Sequence, residues 1–170
     1  MIVIRATKKV LKFLPLAGTP TAPSNNALGD WYVNRLVVDR RPLLLILSER
    51  SRLAILDPAR NLKALPVKLP ELVRRRLVGM DIPESQISRE IDTMKSVEVA
   101  PTINRSVVGQ LVDFAKAIPY YLPEGDWSEI DLRTIEARLG ETPCLCSGKD
   151  TDVIWPEREA RKLLAETWKQ

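Results

Sequence analysis

Apolar and polar positions along this chain change rhythm several times, and each change marks an element. Residues 1–6, MIVIRA, form a short apolar run that predicts a strand. KKVLKFL (8–14) then sorts by helical angle. Val10, Leu11, Phe13 and Leu14 fall on one side; Lys8, Lys9 and Lys12 fall on the other. Thr7, just before, is a candidate N-cap, because its hydroxyl can accept from free first-turn amides. Pro15 ends the helix. PLAGTPTAPSNNAL (15–28) carries no period and predicts a long loop.

GDWYVNRLVVDRRPLLLILSERSRLAILD (29–57) predicts three strands in succession. Trp31–Val38 is aromatic and β-branched. Leu43–Leu47 is apolar without alternation, which fits a central strand covered on both faces. Turns at 39–42 and 48–51 are too short for anything but antiparallel neighbours.

Helical stripes follow a proline-punctuated connection at 57–67. They are Leu69, Leu72, Val73 and Leu77, then Ile87, Ile91 and Met94. Residues 97–100 predict a short strand. Asn104 caps a helix with Val107, Val108, Leu111, Val112, Ala115 and Ile118 inward, and Gly109, Asp113 and Lys116 on the opposite arc. An acidic helix runs from Ser128 to Leu139. A last one, from Pro156 to Lys169, carries Ala160, Leu163, Leu164 and Trp168.

The expected fold is α+β: a small, mainly antiparallel sheet packed by about five to six helices. The N-terminal strand and the three-strand meander make the sheet. Residues 1–170 are expected to form one domain, with 126–170 as its helical, acidic C-terminal extension.

Composition narrows the chemistry. With 45% hydrophobic and 28% charged residues, this is an ordinary globular composition. No apolar run approaches the roughly 20 residues that span a bilayer. Lys8, Lys9 and Lys12 interrupt the one N-terminal stretch that mimics a signal peptide, so the expectation is a cytoplasmic protein. The net charge of +4 is uneven: residues 1–60 hold ten Lys/Arg against four Asp/Glu, and residues 121–170 hold seven against eleven. A basic front half fits an anionic partner, or serves solubility alone.

The chain has no histidine. Ser-His-Asp and Cys-His chemistry need an imidazole to carry the proton, so both are excluded. Cys144 and Cys146 supply two of the four ligands of a structural zinc site, and their CxC spacing is not a thioredoxin-type pair. They read as reduced, partly buried thiols. The glycines form neither a dinucleotide fingerprint nor a phosphate loop. No cofactor, metal ligand or catalytic residue is assigned. Asp150 and Asp152 lie in a loop and are a weak cation pair. Asp39, Glu49 and Asp57 stand at strand ends. With Lys9 or Arg40 they would make a histidine-free, metal-dependent nuclease.

The candidate binding residues are Lys8, Lys9, Trp31, Asn34, Arg40, Arg41, Asn104, Arg105 and Asp113. Lysines in a first helical turn oppose the helix dipole by a few tenths of a kcal/mol each, which suits a bound anion or is absorbed by solvent. Trp31 and Tyr32 offer rings on which bases stack. Asn34 interrupts the face of Tyr32, Leu36 and Val38, so it either pins the N-terminal segment or lines a site. Asn104, Arg105 and Asp113 read as a cap plus a surface ion pair, or as a polar binding surface. Gly109 costs its helix about 1 kcal/mol against alanine, which predicts a close neighbour there.

Several of these segments occur together in a family of bacterial proteins known only as a domain of unknown function, which the chain resembles. RATKKVLKFL, LGDWYVNRLVVDRRPLLLILSERSRLAIL, APTINRSVVGQLVDFA and RLGETPCL carry the likeness over about residues 1–145. The specific parts are the TKK start, G-[ND]-W-x-x-N and N-R-S-V-x-G. The resemblance implies that Lys8, Lys9, Trp31, Asn34, Asn104, Arg105, Gly109 and Asp113 are recurring motif positions. It implies no activity.

The functional expectation is a non-catalytic cytosolic binding protein acting through its basic, meander-bearing side. Its partner would be nucleic acid or another protein, as for an accessory of a mobile-element or defence locus. The alternatives are the metal-dependent nuclease or toxin-like enzyme, and a pure protein–protein interaction module.

Overall fold

The computed structural model describes residues 1–15, 18–145 and 152–169. β1 (Ile2–Ala6) leads into α1 (Lys8–Leu11), and the meander follows as β2 (Trp31–Val38), β3 (Arg41–Ser48) and β4 (Ala54–Pro58). The meander strands pair antiparallel, as their short turns require. Asp39 and Arg40 both take left-handed φ (50° and 66°), which makes the two-residue turn that matches strand twist. α2 (Leu65–Gly79) and α3 (Glu84–Asp92) lead to β5 (Val97–Pro101). α4 (Arg105–Tyr121), α5 (Glu129–Gly140), the hairpin of β6 (Cys144–Leu145) and β7 (Val153–Ile154), and α6 (Pro156–Thr167) complete the order.

The sheet is mixed, which corrects the mainly antiparallel expectation. Its order is β4-β3-β2-β1-β5, and β1 lies parallel to both β2 and β5. Parallel neighbours need a crossover, and both connections supply one. The long segment between Ala6 and Trp31 joins β1 to β2, and α2 with α3 joins β4 to β5. Helices cover both faces. One face buries Ile2, Ile4, Trp31, Val33, Ile46 and Ile55 against α2, α3 and α6. The other buries Tyr32, Leu43, Leu45, Leu47 and Leu56 against α4 and α5. Every residue of Leu43–Leu47 is therefore buried, as the unbroken apolar run predicts.

Local details depart from the sequence reading in three places. α1 is a single turn rather than reaching Leu14. The Thr7 hydroxyl accepts no first-turn amide; the bond it makes is a donation to Asn34 Oδ1 (2.8 Å). α4 runs past Pro119 to Tyr121, and its buried stripe is Val107, Leu111, Phe114 and Ile118, while Val112 is exposed.

The outer edge of β4 is closed by side chains. Leu56 N–H donates to Glu136 Oε2 (2.7 Å), Arg133 Nη2 donates to Leu56 O (2.7 Å), and Arg76 Nε donates to Ala54 O (3.0 Å). A bare strand edge is a template for another chain, and here Leu56 N–H, Leu56 O and Ala54 O are already taken. Glu136 also accepts from Arg75 Nη2 (3.0 Å) and pairs with Arg133 Nε (3.2 Å). Burial pushes its carboxyl up to about 7, against the downward pull of Arg75 and the Leu56 amide. A second buried carboxylate, Glu90, accepts from Ala27 N–H (2.9 Å), Leu28 N–H (3.1 Å) and Trp168 Nε1 (2.6 Å). Burial raises its pKa as well.

Candidate functional site

The GDWYVN segment turns out to be scaffold. Gly29 has φ 78°, and a Cβ there would sit 3.0 Å from Arg50 Cγ and 3.1 Å from Glu49 Oε2. The left-handed backbone angle disfavours a side chain, and a Cβ would also have to push the Arg50 and Glu49 side chains aside by a few tenths of an ångström. Asp30 pairs with Arg5 (2.8 Å) beneath the loop. Trp31, read as a ring for stacking, is wholly buried instead, as is Tyr32. The Tyr32 hydroxyl accepts from Asn104 N–H (3.2 Å), and burial raises its pKa. Asn34 Oδ1 accepts from Thr7 Oγ1 (2.8 Å) and Arg35 N–H (3.0 Å). It pins the β1–α1 junction onto β2, the structural role of the two considered. Asn104 caps α4 as expected, accepting from Ser106 N–H (3.0 Å) and Val107 N–H (3.4 Å).

The basic residues divide sharply. Arg5, Arg41, Arg74, Arg75 and Arg76 pair with Asp30, Asp126, Glu84, Glu136 and Glu157. Arg52 is buried and donates to Ser106 Oγ (3.2 Å). Arg5, Arg52, Arg75 and Arg76 belong to the fold, while the Arg41 and Arg74 pairs lie on the surface. Lys8, Lys9 and Lys12 on and beside α1, Arg35 on β2, and Arg40 in the β2–β3 turn make no ion pair among the described residues. α1 packs against β2, and the Arg35 guanidinium lies 5.9 Å over the half-exposed Phe13 ring, beside Lys12. Arg40 holds a left-handed φ that costs a non-glycine residue about 1–2 kcal/mol. A cation is kept where glycine would be easier.

Arg41 belongs elsewhere. It stacks 4.9 Å over Trp127 and pairs with Asp126 at the rim of a cavity of about 470 Å³ that Arg60 also lines.

Arg105 and Asp113 come together with the late ETPCL segment. They line a groove of about 600 Å³ between α4 and β6, with Gly109, Gln110, Phe114 and Cys144. The surface ion pair between them does not form, since they stand two helical turns apart. Neither has an ion-pair partner among the described residues. The close neighbour expected at Gly109 is not found among the described residues: its chain neighbours and its own helix backbone aside, none of them has a heavy atom within 4 Å of where its Cβ would be. Gly109→Ala should therefore stabilise the chain by about 1 kcal/mol, raising Tm by roughly 2–4 °C. A calorimetric scan checks this; a lower Tm would mean that something does pack there. Lys8, Lys9, Trp31, Asn34 and Arg40 do not line this groove, so the candidate residues do not form one site.

Asp39, Glu49 and Asp57 do not come together at one place. Asp39 and Glu49 stand at opposite ends of β3, and Asp57 pairs with Lys68 (3.1 Å). Among the described residues no group of three or more potential ligands could hold a metal ion. Cys144 is buried, and its thiol donates to Thr142 O (3.3 Å). Cys146 and Asp150 lie outside the described residues.

The carboxylates the sequence reading passed over are Glu90 and Glu136. Each interrupts an apolar helical stripe, Glu90 between Ile87 and Met94, Glu136 between Leu132 and Leu139. That interruption was the available signal.

These observations define an α+β protein with a mixed five-stranded sheet, a smaller two-stranded one and helices on both faces of the larger. No helix among the described residues is long and apolar enough to cross a membrane. The chain belongs to the family described as Domain of unknown function (DUF6933), which it matches over residues 3–159. No curated protein matches it.

Proposed function

We propose that this is a non-catalytic binding protein that holds the phosphate backbone of nucleic acid on the surface around α1 and β2. One observation carries this reading. Arg5, Arg75 and Arg76, which brace the fold, are paired with carboxylates, while Lys8, Lys9 and Lys12 on and just after α1, Arg35 on β2 and Arg40 in the turn after β2 have no ion pair among the described residues. Unpaired cations gathered in this way attract a polyanion and gain by releasing its counterions. The exposed Phe13 adds an apolar face beside them.

The test is equilibrium binding to single- and double-stranded oligonucleotides across a salt series. Wild type should bind at low salt, with affinity falling by a log–log slope of roughly −3 to −4. Lys8→Ala/Lys9→Ala/Lys12→Ala should flatten that slope by about 2–3, close to one for each phosphate no longer neutralised. Arg40→Gly should weaken binding while stabilising the fold by about 1 kcal/mol, because glycine accepts the left-handed turn. No binding at low salt, or an unchanged slope in the triple variant, overturns the reading. A partner protein that binds independently of salt would favour the interaction-module alternative instead.

A further inference from the structure

The groove between α4 and β6 has properties that the basic surface does not use. Arg105, Gly109 and Asp113 recur at four-residue steps, so they form one stripe of α4 along the groove wall. The two charged residues stand about 12 Å apart along the helix axis, at roughly 1.5 Å per residue. At that distance in water they interact only weakly with each other. Each is therefore available to a separate group of opposite charge.

The space between them is open and mixed in character. Gly109 leaves this wall low: among the described residues, its chain neighbours and its own helix backbone aside, no heavy atom lies within 4 Å of where a Cβ would be. Phe114 and Cys144 give a buried apolar floor, and Leu145 is 46% exposed at the rim. The Gln110 side chain, midway along, has no hydrogen-bond partner among the described residues. Its amide presents both a donor and an acceptor, the complement of a peptide unit. Asn104 already occupies the amides of Ser106 and Val107. An anion at this end would thus be held by the Arg105 guanidinium, which matches a carboxylate in two-pronged geometry.

We propose that this groove binds a short extended peptide with both ends free, its terminal carboxylate on Arg105 and its terminal amine on Asp113. An extended chain advances about 3.3 Å per residue, so about four residues bridge the two charges. The floor takes their apolar side chains, and Gln110 pairs with a peptide unit between the ends. The site is separate from the α1–β2 surface and does not depend on it.

The experiment uses the full chain, isotope-labelled for NMR, and a mixed library of tetrapeptides in three forms: free, N-acetylated and C-amidated. The free library should shift the amide signals of residues 105–114 and 142–145. Amidation should weaken binding at least tenfold in wild type but not in Arg105→Ala. Acetylation should do the same in wild type but not in Asp113→Ala. Those two dependences separate charge recognition from a general loss of structure. Lys8→Ala/Lys9→Ala/Lys12→Ala should bind the free library as wild type does. Equal binding of free and blocked libraries, shifts elsewhere on the chain, or no shifts at millimolar peptide each overturn the proposal.

Discussion

Glu136→Ala is expected to lower stability by about 3–5 kcal/mol, the loss typical when one partner of a buried charge pair is removed. The substitution strands three groups at once. Leu56 N–H loses its acceptor, and Arg75 and Arg133 lose the carboxylate between them. The edge of β4 then has one backbone donor open to solvent or to another chain. Urea denaturation measures the loss. A cost below about 1 kcal/mol would show that the edge is held by packing alone.

Glu136 also sets a pH dependence whose sign follows from its pKa. The carboxyl is held at about 7 in the folded chain, against an ordinary value of 4.5. Between those values the folded chain keeps a proton that the unfolded chain has lost. Stability is therefore greatest below the lower value and declines as pH rises toward the upper one, on the order of 3 kcal/mol across the window. Glu136→Gln cannot titrate and keeps an oxygen for Leu56 N–H. Its denaturation midpoint should lack that decline. Equal slopes in the two chains would place the titration on another group.

Trp31→Ala is the other large effect, about 3–5 kcal/mol, because a ring with no exposed surface leaves a cavity in the core between β2 and the helices. Trp31→Phe should cost far less, about 1–2 kcal/mol. The indole Nε1 is buried without an acceptor among the described residues, so removing it relieves a desolvation cost that offsets part of the lost volume. Neither variant should alter partner affinity once folded. Weaker nucleic-acid binding by a stably folded Trp31→Phe chain would contradict the core assignment.

The meander was legible because strand periodicity and short turns are local. The direction of β1 was not, because an apolar run carries no mark of its neighbours; only the length of the loop after Pro15 hinted at a crossover. Trp31 misled for a related reason. In a strand covered on both faces, position along the alternation does not separate core from surface. The placement of Arg105 and Asp113 was half visible. Their helix could be drawn from sequence, but the ETPCL segment that forms the opposite wall lies some thirty residues onward and meets them only in three dimensions. Arg74, Arg75 and Arg76 stand consecutively on α2, and nothing local to that run names a partner. Its carboxylate partners sit on α3, α5 and α6, and each pairing is a tertiary fact.

The Glu90 site bears on the order in which this chain acquires its structure. Its donors come from residues 27, 28 and 168, at sequence separations of 63, 62 and 78 from the carboxylate. Contacts this distant require loop closure before they give anything back, which slows folding. A chain growing from its N-terminus can fix the loop at 27–28 when α3 appears, but it must wait for Trp168 to complete the shell around the buried carboxylate. Until then Glu90 is only partly satisfied. Nascent or truncated chains ending before Trp168 should accordingly be held in a looser state, their first sixty residues translated long before they are locked.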